Sequence, residues 1–197
     1  MYYRGQNFTK DDEFYTPKSA WEEIKSIIPK HTLIWEAFYG DGKSSSYLKN
    51  MGFNVISKNE DFFRHDRGDI IVSNPPFSIK RQVLERCKML DKPFIMIMPS
   101  GMLQTKWFRE MWQDENIQII VPNKRIIFEK DFDGKRVPQP NRAVDVYYYC
   151  WKINLKKDWQ YASQLVKPKT KKTNVKINIK QEDNNYMVLR SGRIILK

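Results

Sequence analysis

An apolar run, Asp69 to Ser73, passes without a break into Asn74-Pro75-Pro76-Phe77. Proline cannot donate to a sheet ladder and its φ is fixed, so two in succession end a strand and stiffen the turn that follows. Ser78 then offers an N-cap for a helix from Ile79 to about Leu90, with Val83, Leu84, Cys87 and Leu90 on one side. Strand, rigid turn and helix make half of a βαβ unit, and most of the chain repeats the pattern.

Thr16-Pro17 opens a helix carrying Trp21, Ile24, Ile27 and Ile28, which Pro29 ends. Thr32 to Phe38 reads as a buried strand, followed by Gly40-Asp41-Gly42 and a helix over Ser44 to Met51 that Gly52 closes. Phe53 to Ser57, Pro93 to Met98 and Ile117 to Val121 are further strands, and Met102 to Trp112 reads as helix. Strands alternating with helices predict an α/β fold, a Rossmann-like and mostly parallel sheet with helices on both faces. After Val121 the alternation stops. Arg125 to Phe128 and Ala143 to Trp151 read as two strands flanking a loop, Glu129 to Arg142, a C-terminal antiparallel hairpin. Beyond Asp158 the chain turns Lys-rich, so the expected division is a domain over 1–157 and a basic linker and C-terminal arm over 158–197.

The net charge of +12 suits a polyanionic partner, and its distribution matters more than its size. From Lys152 onward twelve Lys or Arg stand against three acids (Asp158, Glu182 and Asp183), so most of the excess lies in the arm. Cys87 and Cys150 are far apart, and the longest apolar runs, such as Phe94 to Met98, are strand-sized. Free thiols, an intracellular setting (cytoplasm, nucleus or viral factory) and no membrane follow as expectations. His31 and His65 stand alone, so no metal is expected.

Gly40-Asp41-Gly42 between a strand and a helix has the layout of a nucleotide crevice, in which glycine lets backbone approach a ligand. Ser45 stands where a dinucleotide fingerprint needs its third glycine, and no phosphate loop is present, so the turn suits a nucleoside better than a pyrophosphate. About thirty residues on, Asn74-Pro75-Pro76-Phe77 presents two acceptors, the Asn74 side-chain carbonyl and the Pro75 backbone carbonyl. An amine on a purine ring is a poor nucleophile because its lone pair is delocalised. Two acceptors on its hydrogens draw that pair out of conjugation, and Phe77 offers a flat face for the base. Such a base must leave its stack to be reached.

Phe14-Tyr15-Thr16-Pro17, Glu36-Ala37-Phe38-Tyr39-Gly40-Asp41-Gly42, Glu60-Asp61-Phe62-Phe63 and Asn74-Pro75-Pro76-Phe77 occur in that order. Over roughly residues 10 to 152 the chain resembles the class I, Rossmann-like S-adenosylmethionine-dependent adenine-N6 methyltransferases, especially the small phage- and virus-type DNA enzymes. The resemblance implies S-adenosylmethionine as cofactor and methyl transfer to adenine N6 in DNA, with Asn74, Pro75, Pro76 and Phe77 catalytic. It places Tyr15, Thr16 and Pro17 over the methionine end of the cofactor. Glu36, Phe38, Gly40 and Gly42 line its pocket, and Asp61 with Phe62 lie against its adenine. The acid that the family puts after the second strand is replaced by Ser57, Lys58 and Asn59, with Glu60 the nearest carboxylate.

With 197 residues, no separate recognition domain is expected. Recognition then falls to the 129–142 loop, the N-terminal segment, the basic arm, or a homodimer or partner subunit. Lys124, Arg125, Lys130, Lys135, Arg136 and Arg142 are candidate phosphate contacts. The same chemistry on RNA adenine or on a protein glutamine, and a catalytically silent methyltransferase-like subunit, are the alternatives. The positive charge and Phe77 favour a nucleobase.

Overall fold

A computed structural model describes residues 14–142, 144–165, 186–188 and 194–196. The chain divides into two compact units, Met1–Lys167 and Pro168–Lys197. In the first unit the elements run α1 (Lys18–Ile24), β1 (Leu33–Trp35), α2 (Lys43–Asn50), β2 (Asn54–Ile56), β3 (Ile70–Ser73), α3 (Lys80–Met89), β4 (Phe94–Pro99), α4 (Lys106–Trp112) and β5 (Ile117–Val121). A ribbon of β6 (Glu129–Phe132) and β7 (Lys135–Pro138) follows, then β8 (Val146–Trp151) and β9 (Trp159–Tyr161). The second unit contains an antiparallel pair, β10 (Tyr186–Val188) with β11 (Ile194–Leu196).

Seven strands form one sheet in the order β2-β1-β3-β4-β8-β5-β9. All neighbours are parallel except β8, which lies antiparallel between β4 and β5. Helices cover both faces, because alternate strand residues feed two separate cores. Ile34, Ile70, Val72, Ile95 and Ile97 pack with Trp21 and Ile24 of α1 and Leu48 of α2. Trp35, Ile71, Phe94, Met96 and Met98 pack with Val83, Leu84 and Cys87 of α3 and with Phe108 and Trp112 of α4. Two-sided burial is what makes strands such as Phe94–Met98 apolar throughout. The mostly parallel, Rossmann-like α/β architecture is therefore the one the sequence predicts. Cys87 and Cys150 are buried free thiols, and no helix among the described residues is long and apolar enough to cross a membrane.

Several elements depart from expectation. Arg125 to Phe128 forms no strand, and the supposed loop that follows holds the β6–β7 hairpin instead. Its turn is Asp133-Gly134, both left-handed (φ 52° and 79°), the conformation that twists a two-residue hairpin correctly. The strand expected from Ala143 becomes β8, inserted into the main sheet rather than paired beside it. β9 lies past the expected boundary at 157 and pairs with β5, since Gln160 and Ala162 bury there. Thr16 makes no side-chain cap for α1, and α3 is preceded by a 3-10 turn, Phe77–Ile79, with Ser78 exposed and not capping.

Candidate active site

β1 has β2 on one side and β3 on the other. The connection from β1 to β2 runs through α2 on one face of the sheet, and that from β3 to β4 runs through α3 on the opposite face. The carboxyl ends of β1 and β3 thus flank a topological switch point, where open α/β sheets leave a crevice for ligands. β1 leads to Glu36, Phe38 and the Gly40-Asp41-Gly42 turn, and β3 leads to Asn74-Pro75-Pro76-Phe77. Two segments that lie apart in sequence are thus brought to neighbouring strand ends, where such a crevice would have its two walls.

The walls are tied together by Glu36, which is 1% exposed. Ser57 Oγ, just beyond β2, donates to Glu36 Oε2 at 2.8 Å, and Ser73 Oγ, the last residue of β3, donates to Oε1 at 2.7 Å. The Phe38 N–H donates in turn to Ser73 Oγ at 3.3 Å. Burial pushes the Glu36 carboxyl up to about 7, against the hydroxyls of Ser73 and Ser57 and the Phe38 N–H, which favour its charge, while Asp41 adds to the rise. One carboxyl group therefore clasps the ends of β2, β1 and β3 at the residue before Asn74.

Asn74 Oδ1 is buried and has no hydrogen-bond partner among the described residues. A buried carbonyl left unpaired costs about 1–3 kcal/mol, so its retention calls for an explanation such as a ligand donor. Pro75 is buried, and Pro76 and Phe77 are half-buried. The Phe77 ring meets the edge of Phe128 at 6.0 Å and 78°, and Phe128 meets Phe14 at 6.5 Å.

Gly42 caps α2 in the left-handed region (φ 78°), and a Cβ there would stand 2.9 Å from the Tyr39 hydroxyl. The same turn is closed by Ser45 and Ser46, whose hydroxyls donate to the Gly42 carbonyl at 2.9 and 3.2 Å. Tyr15 lies over Gly40, its ring 3.5 Å from where a Gly40 Cβ would be. Tyr15 pairs with Glu129 of β6 through backbone bonds of 2.8 and 2.9 Å, so the N-terminal segment is anchored to the ribbon. Thr16 is buried beside it and Pro17 is half-buried.

The segment after β2 is occupied with itself. Glu60 binds Arg67 Nε at 2.9 Å and has the His65 Nε2 at 3.6 Å; the Arg67 hydrogen bond holds its carboxyl below the ordinary range. Asp61 Oδ1 accepts the Phe63 N–H at 2.7 Å. Phe62 is fully buried, with the rings of Trp35, Phe38 and Phe63 at 5.0–5.3 Å. Phe62 is thus a core ring here, and Phe38 is the half-buried aromatic next to it.

The expected phosphate contacts do not group together. Lys124 and Lys135 are exposed; Arg125 pairs with Asp145 at 3.0 Å, and Lys130 lies 4.7 Å from the Phe14 ring. Arg142 ends a short 3-10 turn, and its side chain lies outside the described residues. Arg136 departs most from expectation: its side chain is 7% exposed and bonds Asp41, Glu129 and the Thr16 carbonyl. Four of its five N–H donors are thus spent within the chain, which leaves one for any phosphate. Neither Ser73 nor Ser57 was expected to meet Glu36, although Ser73 directly precedes the Asn-Pro-Pro-Phe turn. No group of three or more metal-ligating side chains occurs among the described residues.

No family model and no curated protein matches the chain. Several solved structures share some likeness with it, two of which follow. One is an S-adenosylmethionine-dependent O-methyltransferase from Thermotoga maritima, 13% identical over 78% of this chain and 69% of that one, with a TM-score of 0.38. The other is precorrin 8w decarboxylase from Methanobacterium thermoautotrophicum, 12% identical over 73% of this chain and 98% of that one, also with a TM-score of 0.38.

Proposed function

We propose that this chain transfers a methyl group from S-adenosylmethionine to the N6 amine of adenine in DNA. The observation that carries the reading is the buried, unpartnered Asn74 Oδ1 on a proline-stiffened turn at the switch point of the sheet. A buried acceptor with nothing to accept is half of a binding site for an NH2 group.

The crevice fits a nucleoside cofactor. The glycine turn after β1 is left-handed at both Gly40 and Gly42 (φ 55° and 78°), a backbone conformation that side chains other than glycine rarely adopt. Phe38, Gly40 and Gly42 form one wall with Glu36 buried behind it, and Tyr15, Thr16 and Pro17 lie beside the turn. S-adenosylmethionine supplies an electrophilic methyl group on sulfonium when bound. On the opposite wall, Asn74 Oδ1 and the Pro75 carbonyl accept the two amine hydrogens. They localise the lone pair on nitrogen and stabilise the positive charge that grows there, so catalysis comes from positioning and fixed dipoles more than from a general base. Methyl transfer leaves the cofactor as its neutral thioether, and the methylated amine gives its extra proton to solvent. Phe77 stacks on the base, and its T-shaped contact with Phe128 holds the ring in place. The net positive charge and the exposed Lys124 and Lys135 support a polyanionic substrate.

The test uses methyl-labelled S-adenosylmethionine with duplex DNA, single-stranded DNA, RNA or protein extract in separate reactions. Label recovered as N6-methyladenine in DNA is expected, and label confined to protein would overturn the reading. Asn74→Ala should lower kcat on the order of 10²-fold or more, the scale for loss of one preorganised dipole at the reacting group. Its thermal midpoint should be no lower than that of the parent, since the change removes an unpaired buried acceptor. Full activity in that variant would refute the role given to Asn74.

A further inference from the structure

We infer that Arg136 is a positioning residue that latches the β6–β7 ribbon and the Tyr15–Thr16 segment onto the Gly40-Asp41-Gly42 turn, closing one side of the cofactor crevice. The inference rests on the reading of that crevice as the cofactor site. Arg136 Nε donates to Asp41 Oδ2 at 3.0 Å and Nη2 donates to Asp41 Oδ1, a bidentate fork. Nη1 donates to Glu129 Oε2 at 3.1 Å and to the Thr16 carbonyl at 3.3 Å. The guanidinium also lies 4.5 Å from the centre of the Tyr15 ring. Three segments distant in sequence (residues 15–16, 41 and 129) therefore converge on one side chain.

The ribbon buries little surface of its own. A two-stranded hairpin is marginal on its own. In β7 Lys135, Val137 and Pro138 are exposed and only Arg136 turns inward. At the tip, Phe132 is 54% exposed, so the outer face contributes little burial. Other anchors among the described residues include the Tyr15–Glu129 backbone pair, the Gln139 N–H to the Phe128 carbonyl at 2.9 Å, and Lys130, 4.7 Å from the centre of the Phe14 ring. A fork of this shape cannot be replaced by lysine, which offers a point charge without a second parallel donor. Moving Arg136 to a phosphate would cost Glu129 this ion pair and leave Asp41 with Lys43 alone, so the same bonds argue against a role in DNA binding.

The test compares the parent with Arg136→Ala, Arg136→Lys, Asp41→Asn and the Arg136→Ala/Asp41→Asn double variant, each checked for folding by circular dichroism. Calorimetric affinity for S-adenosylmethionine should fall at least tenfold in Arg136→Ala and less in Arg136→Lys. The double variant should bind no more weakly than Arg136→Ala, because both changes open one latch. Cleavage of the ribbon before Asp131 and Asp133 by an Asp-specific protease should quicken in Arg136→Ala and in Asp41→Asn. Affinity within twofold of the parent, or strictly additive losses, would overturn the inference. If Arg136→Ala does not fold, Asp41→Asn decides alone, since it opens the fork from the other wall. Should the parent bind no S-adenosylmethionine, the proposed function fails. The latch is then judged on ribbon cleavage, and unchanged cleavage rejects it.

Discussion

Glu36 is enclosed by the hydroxyls of Ser57 and Ser73, the Phe38 N–H and the carboxylate of Asp41, the groups that set its charge. Folding moves its carboxyl from 4.5 to about 7. The folded state therefore holds the proton more tightly than the unfolded chain. This contribution is fully present below about pH 4.5 and is lost as the pH rises through about 7. The shift corresponds to roughly 3 kcal/mol at most. Asp41 does not titrate in this window: although its partial burial works the other way, the Arg136 and Lys43 interactions hold it below the ordinary range. Urea unfolding of the parent should lose about 3 kcal/mol more than Glu36→Gln between pH 4.5 and pH 8. Parallel curves for the two proteins would show that Glu36 does not carry the proton. The residue types of the site were legible in the sequence, Asn74 and the two glycines above all. The clasp was not, because Ser57 and Ser73 stand 21 and 37 residues from Glu36 and meet it only once three strands align.

At the level of elements, the pairing of β1 with β3 decides whether the crevice exists. Its first link is reciprocal: the Asp69 N–H donates to the Leu33 carbonyl at 2.7 Å, and the Leu33 N–H donates to Asp69 Oδ2 at 2.7 Å. Gly68 admits this approach with φ 56°, where a Cβ would lie 2.5 Å from the Leu33 carbonyl oxygen. Backbone cannot yield as a flexible side chain does, so Gly68→Ala should cost about 3 kcal/mol or more. In urea the midpoint should fall with an unchanged slope; a midpoint within error of the parent would mean that the strand shifts freely. The alternation of strands and helices was legible because burial on both faces leaves an apolar run for each strand. The β6–β7 ribbon was missed for the opposite reason: Glu129-Lys130-Asp131-Phe132 and Lys135-Arg136-Val137-Pro138 carry almost no apolar pattern, and only Asp133-Gly134 marked the turn. The insertion of β8 between β4 and β5 depends on pairing across distant segments, which local pattern does not encode.

On the scale of the whole molecule, charge and catalytic machinery are separated along the chain. The candidate active site is built from residues 15 to 136, whereas beyond Leu165 nine Lys or Arg stand against Glu182 and Asp183. β9 and the buried Ala162 belong to the first unit, so a truncation that tests the arm must fall after Leu165 and spare them. Removing residues 166–197 should leave affinity for S-adenosylmethionine within twofold of the parent. It should also weaken DNA binding in a salt-dependent way. Every phosphate that the protein neutralises adds about 0.9 to the slope of log K against log salt. If the arm neutralises three or more, its removal should reduce the slope by roughly 3 between about 50 and 200 mM salt. The Arg136→Ala variant should leave that slope unchanged, because its guanidinium is spent on Asp41 and Glu129. An unaltered slope on truncation would instead move the phosphate-binding role to exposed lysines of the first unit, Lys124 and Lys135 first. The substitution and the truncation thus test separately whether Arg136 closes the proposed cofactor crevice and whether the segment beyond Leu165 binds a polyanion, although a count of basic residues treats them alike.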